Sequence, residues 1–313
     1  MTRIKNIPLV CPGCGFELYK NKSLYLCKNL ICCHSASDKG FEELNGIPVL
    51  ISDELCDTVF DPKDIRSYIE RSSNKVNWLK NLLQGKSKTT NRNCQNFITR
   101  LEKQTQTPRV LVIGAGERGD GTHLLWDHPT IEIHGIDIYV SDTVDLVCDA
   151  HYLPLEAEFY DGVWIQAVLE HVVEPHKVVK EIFRVLKNNG IVYAETPFMQ
   201  QVHEGAYDFT RYTVLGHRYL FRDFSTISIG GNKGPEIALA WSIKYFIWSI
   251  TRSALIARLV GVVCRFILRP FSYLVSPSSM YDASSGVYFF GYKGVSPKLK
   301  HRDLVKLYKA NLD

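Results

Sequence analysis

Apolar positions follow two rhythms along this chain. Between residues 109 and 195 they come as short β-branched runs: RVLVI (109–113), IEIHGIDI (131–138), VDLVC (144–148), YDGVWIQ (160–166) and IVYAE (191–195). Uninterrupted runs of this length predict strands buried on both faces of a parallel sheet. Before the last run, Val178, Val179, Ile182, Phe183 and Leu186 recur at helical spacing, which predicts a helix over residues 176–187. Asn188-Asn189-Gly190 is expected to close it, with the glycine supplying a positive φ. Strand and helix alternate, so the pattern predicts an α/β fold.

The flanks read differently. Helical spacing recurs at Ile65, Tyr68, Ile69, Val76, Leu79, Leu82 and Leu83, ending at Gly85, and again at Phe97, Ile98 and Leu101. The polar run SKTTNRN between them is expected to be a loop, so residues 53–108 read as a helical connector. Toward the C-terminus, a strand from Phe224 to Ile229 and a last strand from Gly286 to Tyr292 are separated by about fifty residues. That insertion, about 234–281, holds ALAWSIKYFIWSI and ALIARLVGVVCRFILRPFSYLV. Its apolar runs are broken by single cations. At 100° per residue Arg258, Arg265 and Arg269 share a narrow sector, as on a helix lying in a membrane interface. A hairpin capping the site and a dimer contact fit the same pattern. From Lys298 a short basic helix is expected.

The first strand runs into Gly114-Ala-Gly116-Glu-Arg-Gly119, and His123-Leu-Leu-Trp126 begins a helical pattern. A strand, a glycine turn and a helix N-terminus let backbone N–H groups approach a ligand closely. Asp137 ends the second run, where a carboxylate can accept hydrogen bonds from both ribose hydroxyls. Asp149 and Ala150 end the third, beside the expected place of an adenine ring. Gly114, Gly116, Gly119, Asp137, Asp149 and Ala150 are therefore the candidate cofactor-binding residues.

The motifs that follow are more specific than the glycines. Asp149-Ala150, Leu153-Pro154, Tyr160-Asp161-Gly162-Val163, Leu169-Glu170-His171 and Arg184-Val185-Leu186-Lys187 with Gly190 appear in order. Over roughly residues 109–230 the chain resembles the class I S-adenosylmethionine-dependent methyltransferases, in their broad type 11-like family. The resemblance implies a Rossmann-like doubly wound sheet, S-adenosylmethionine as cofactor, and a methyltransferase domain over residues 109–313. Val112 departs from that pattern, which usually carries an acid two places before the first glycine. The turn is also longer than Gly-x-Gly-x-Gly, so the methionine end of the cofactor is expected to be held differently.

Nine cysteines, clustered toward one end, argue against a disulfide framework and for a reducing compartment. Cys11-Pro-Gly-Cys14 is a tight knuckle, and Cys27, Cys32 and Cys33 follow. Two thiolate pairs across a hairpin make an S₄ site suited to structural zinc. Cys11, Cys14, Cys27 and Cys32 are the expected ligands, with Cys33 the rival for the fourth place. FEELNGIPVLIS then reads as strand, Asn45-Gly46 turn, strand. Residues 1–52 resemble the zinc-ribbon module found alone as a methyltransferase activator subunit and fused to other methyltransferases.

Charge adds a polarity that the net +4 conceals. Residues 62–109 carry eleven Lys/Arg against three Asp/Glu, residues 110–235 nine against eighteen, and residues 236–313 eleven against four. Basic flanks around an acidic core admit anionic lipid and nucleic acid as partners. The N-terminus lacks the apolar run of a signal peptide and no apolar run reaches membrane-spanning length, so a cytoplasmic protein is expected, with peripheral contact at the inner face of a membrane as the extension the insertion suggests.

The loop FMQQVHEGAYDFTRYT brings His203, Glu204, Tyr207, Asp208, Arg211 and Tyr212 past the strand ends, where this fold takes its methyl acceptor. A similar stretch recurs in the resembling enzymes, several associated with glycan or lipid-linked sugar assembly, which implies a saccharide or lipid-linked saccharide acceptor. His203 is the first candidate general base, His171 the second, and Asp208 the third catalytic candidate. Two readings compete: an RNA methyltransferase, whose basic connector would hold phosphates, and a non-catalytic binding protein on a methyltransferase fold. The sequence leaves the oligomeric state open.

Overall fold

Five parallel strands form where the β-branched runs lie. The structure, a computed structural model, describes residues 7–36, 39–52, 56–59, 87–276, 278–294 and 299–309. The predicted helix through Ile65 to Leu83 lies outside the described residues.

The N-terminal module holds β1 (Leu18–Asn21), β2 (Leu24–Cys27), β3 (Phe41–Leu44) and β4 (Ile47–Pro48), paired in that order as a four-stranded antiparallel sheet. Asn45 and Gly46 both take positive φ, at 54° and 79°, the geometry of a two-residue hairpin turn. Next come α1 (Lys88–Glu102), β5 (Arg109–Ile113), the single turn α2 (His123–Trp126), β6 (Glu132–Asp137), β7 (Leu146–Val147) and β8 (Tyr160–Gln166). They are followed by α3 (Pro175–Val185), β9 (Leu186–Pro197), α4 (Val214–Leu220), β10 (Ser225–Lys233), α5 (Pro235–Thr251), α6 (Ala254–Leu268) and β11 (Gly286–Tyr292). The large sheet has the order β10-β11-β9-β8-β5-β6-β7. Strands β5 to β9 run parallel, and β11 is antiparallel to both of its neighbours. This is the doubly wound sheet that the resemblance implies, and a chain reversal beside β5 opens a crevice at the strand ends.

The core explains the order of the runs. Val110, Leu111, Val163, Trp164, Ile165, Val192 and Tyr193 are buried, and each such side chain contributes roughly 1.5–3 kcal/mol. The N-terminal module shares this core: Leu9, Leu18, Tyr25, Phe41 and Leu50 join one cluster with Leu146, Leu153 and Leu155. Backbone bonds secure it, with Leu50 N–H donating to the Val147 carbonyl at 2.8 Å and Val10 N–H to Pro154 at 3.0 Å. The module thereby covers the β7 edge, which would otherwise present unpaired backbone groups.

Four expectations need correction. The run SKTTNRN is the start of α1 rather than a loop. Ser87 caps the helix by accepting the Thr90 N–H at 3.1 Å, and Thr90, Asn93, Cys94, Phe97, Ile98 and Leu101 form one buried stripe. Its first members are polar, so hydrophobicity alone misses them. The helix expected to run to Lys187 ends at Val185, and β9 begins at Leu186. The positive φ after it falls on Asn189 (65°) instead of Gly190, because the Asn189 N–H turns to the Lys293 carbonyl at 2.7 Å. The strand expected from Phe224 to Ile229 runs from Ser225 to Lys233, lengthened by pairing with β11.

Candidate active site and metal centre

The glycine turn after β5 is shaped by close approach. Gly114 has φ +78°, and a Cβ there would strike the Val168 side chain; a Cβ on Gly116 would meet the Tyr139 ring. The Gly114 and Ala115 N–H groups donate to the Ile136 carbonyl at 3.0 and 2.9 Å. Asp137, at the tip of β6, accepts the Gly116 N–H at 2.7 Å and the Ile138 N–H at 2.7 Å. The residue remains partly exposed. Helix α2 is only one turn long, so the expected helix dipole has little length to act through, and the backbone of the turn itself does the positioning.

Asp149 follows β7 by two residues. It is buried, and its oxygens take hydrogen bonds from the Thr58 hydroxyl (2.6 Å), the His151 N–H (2.8 Å) and His151 Nδ1 (2.6 Å). Burial raises its carboxyl, but these bonds outweigh that and hold it below the ordinary range. Asp149 thus ties residue 58 to the third parallel strand, and Ala150 is buried beside it.

A second group of polar residues, not foreseen from the sequence, meets near the end of β9. Glu195, near the end of β9, is buried, and accepts from Thr90 Oγ1 (2.5 Å), Gln166 Nε2 (3.0 Å) and the Tyr193 hydroxyl. Burial pushes its carboxyl up even so. Asn93 Nδ2 reaches the Tyr193 hydroxyl at 3.3 Å, and a Cβ on Gly119 would collide with Gln166 Oε1. Gly119 therefore lets Gln166 approach the turn closely. The signal was available in Thr90 and Asn93, which stand at helical spacing with Phe97 and Leu101.

Across the crevice lies the loop after β9. Arg211 grips both oxygens of Asp208, with Nη2 at 2.7 Å from Oδ2, and also donates to the Gln200 and Gln201 carbonyls at 3.0 and 3.2 Å. Arg211 holds the Asp208 carboxyl down at about 2, so it stays ionised and serves to position, not to take a proton. Asp208 accepts the His203 N–H at 2.9 Å and lies 3.2 Å from His203 Nδ1. The Phe209 N–H donates to the Glu170 carbonyl at 2.8 Å, which seats the loop on the segment after β8. His171 and His203 meet edge to face with ring centroids 4.9 Å apart. Glu170, unremarked as a site residue from sequence, is fully buried between them, and burial pushes its carboxyl up to about 8. The three catalytic candidates His203, His171 and Asp208 are therefore brought together.

The cysteines converge in the N-terminal module. The sulfurs of Cys11, Cys14, Cys27 and Cys32 all lie within 4.8 Å of one another, with Cys11–Cys32 at 3.8 Å and Cys14–Cys27 at 3.4 Å. A tetrahedral zinc with Zn–S near 2.3 Å needs sulfurs about 3.8 Å apart, so the donor set fits. Cys33 is outside this group, since it begins the 3₁₀ turn Cys33–Ser35.

Residues 111–194 match a family described as a methyltransferase domain. No curated protein matches the chain. Among solved structures, a SAM-dependent methyltransferase from Archaeoglobus fulgidus is 15% identical, covering 69% of this chain and 98% of its own, with a TM-score of 0.43. Phosphoethanolamine N-methyltransferase 2 from Haemonchus contortus, in complex with S-adenosyl-L-methionine, is 16% identical over 65% of this chain and 52% of its own, TM-score 0.41. The cyclase SpnF is 17% identical over 66% of this chain and 82% of its own, also at 0.41.

Proposed function

We propose that this chain, an enzyme with a class I S-adenosylmethionine-dependent methyltransferase domain, transfers the methyl group to a hydroxyl of a saccharide carried on a lipid. The observation that carries the acceptor class is the position of the insertion. Its first helix, α5, touches the acceptor loop: Tyr245 donates to the Val202 carbonyl at 3.2 Å and Gln201 Nε2 to Ser242 Oγ at 3.1 Å. Beyond those contacts α5 and α6 turn Phe246, Ile250, Leu255, Leu259, Phe266 and Ile267 to solvent. So many large apolar side chains exposed on one hairpin mark a binding surface. Arg258 and Arg269 are exposed beside it, as an anionic bilayer surface requires. No helix of the described residues is long and apolar enough to cross a membrane. The reading is therefore a protein that lies on the bilayer, with its acceptor loop at the headgroup level.

Within the crevice Asp137 would hold the ribose hydroxyls, and the Gly114–Gly119 backbone would lie along the rest of the cofactor. S-adenosylmethionine supplies an electrophilic methyl on a sulfonium with a good leaving group, so the protein chiefly aligns the partners and excludes water. The acceptor hydroxyl would be received at the His203–His171–Glu170 group, with Asp208 and Arg211 holding the loop in place. Cys11, Cys14, Cys27 and Cys32 would bind zinc as a structural centre.

Purified protein offered lipid-linked saccharide, free saccharide and RNA with labelled cofactor should methylate the first. Transfer to RNA alone would replace this reading. Asp137→Ala should weaken S-adenosylmethionine binding by about 1–3 kcal/mol in calorimetry through loss of charge-assisted hydrogen bonds. Metal analysis of protein purified without chelators should find one zinc per chain, absent from Cys14→Ser.

A further inference from the structure

Glu170, His171 and His203 meet in a way that side-chain packing alone does not account for. Their ligand atoms lie within 4.8 Å of one another. Glu170 is fully buried in the 3₁₀ turn Leu169–His171, and among the described residues neither of its carboxylate oxygens has a hydrogen-bond partner. His171 Nε2 stands 3.7 Å and His203 Nε2 4.0 Å from Oε1, too far for hydrogen bonds. Arg211, the nearby cation, is turned to Asp208 and to the Gln200 and Gln201 carbonyls.

The tautomers sharpen the point. His171 Nδ1 lies 2.7 Å from the Tyr207 carbonyl, which can only accept, so Nδ1 carries the proton and Nε2 a lone pair. Around His203 Nδ1 the Asp208 carboxylate at 3.2 Å and the Gln201 carbonyl at 3.4 Å accept, while Gln200 Nε2 at 3.4 Å donates; with the proton directed to the closer carboxylate, Nε2 presents a lone pair. Two imidazole lone pairs and a buried carboxylate oxygen thus face one point. Imidazoles whose far nitrogen is bound to a carbonyl or carboxylate are the arrangement that orients metal ligands.

We propose that Glu170, His171 and His203 bind a divalent cation of the Mn²⁺, Fe²⁺ or Zn²⁺ class, with open positions toward the acceptor. Two histidines and one carboxylate leave room for further oxygen ligands. The acceptor that suits such a centre carries two neighbouring hydroxyls, as a saccharide does. The cation acidifies one of them, whose proton passes to water. The oxygen lone pair then forms the O–CH₃ bond as the S–CH₃ bond breaks, and its electron pair goes to sulfur. The acceptor part rests on the function proposed above; cation binding does not.

The test uses the full-length protein with its ribbon zinc retained and Mn²⁺ as probe, followed by electron paramagnetic resonance and calorimetry. The wild type should take up one Mn²⁺, and Glu170→Gln and His203→Gln should each lower the affinity at least tenfold while S-adenosylmethionine binding persists. His203 is partly exposed on a loop, so its variant decides the matter should Glu170→Gln fail to fold. No bound Mn²⁺, or equal affinity in the wild type and His203→Gln, overturns the site. Mn²⁺ bound as expected, with no methylation of lipid-linked saccharide, upholds the site and rejects the acceptor.

Discussion

The sheet core and the α5–α6 hairpin are both rich in large apolar residues, yet they are built in opposite senses. In the core the large side chains face inward: Trp164 stacks on Tyr193 at 4.1 Å, and both are buried. In the hairpin the buried positions are small, Ala238 and Ala240 on α5 and Ala257 and Gly261 on α6, while Leu255, Leu259, Phe266 and Ile267 point outward. A Cβ on Gly261 would come within 3.2 Å of the Lys244 side chain, so the missing side chain there lets the Lys244 stem lie close against α6. Similar composition therefore serves two solvents. One element has found its apolar partner inside the fold, and the other still presents its apolar face outward.

The comparison breaks most sharply at Trp164. Trp164→Ala should cost about 3–5 kcal/mol of stability in denaturant unfolding, through lost burial and the cavity left behind. A loss under about 1 kcal/mol would show that the core is not the stabilising region. Acid should separate the regions next. His217 on α4 is buried against Thr196 Oγ1 at 2.9 Å with Nδ1 unpartnered among the described residues, and burial lowers its pKa to about 3. Its folded pKa is below the unfolded value, so the unfolded state binds the extra proton. Stability is full above about pH 6.5 and falls as pH drops toward 3, by roughly 2 kcal/mol between pH 6.5 and 5. His217→Gln should flatten that slope in pH-dependent melts, and an unchanged slope would place the acid sensitivity elsewhere.

Vesicle flotation probes the hairpin directly. Arg265 is half-buried and, with Arg258, flanks Lys244, whose pKa is lowered by burial and then by the two arginines. Arg258 and Arg269 are the exposed pair. Arg258→Glu with Arg269→Glu should therefore weaken binding to anionic vesicles by about 1 kcal/mol per site removed, more on reversal of sign. If wild type and variant float equally, the exposed face meets a protein. The smallest effect is expected for Phe266→Ala, which should change unfolding stability by less than about 0.5 kcal/mol while reducing flotation. A loss as large as that of Trp164→Ala would mean that Phe266 is buried in solution.

Local pattern alone determined much of this protein. The β-branched runs marked the parallel strands, Gly114 to Gly119 marked the turn, Asp137 marked a strand tip, and Cys11-Pro-Gly-Cys14 marked a knuckle. These features depend on chain neighbours, whose side-chain directions repeat with a known period. Tertiary structure decided what depends on distant partners. It brought Cys32 rather than Cys33 to the sulfur cluster, because adjacent side chains point apart. It buried the polar face of Ser87 to Asn93, since Thr90 finds Glu195 105 residues away. It set His203 beside Glu170 and His171, across a strand and a loop. Burying a polar residue is costly unless a complementary group meets it, and that group's position is a property of the packed fold.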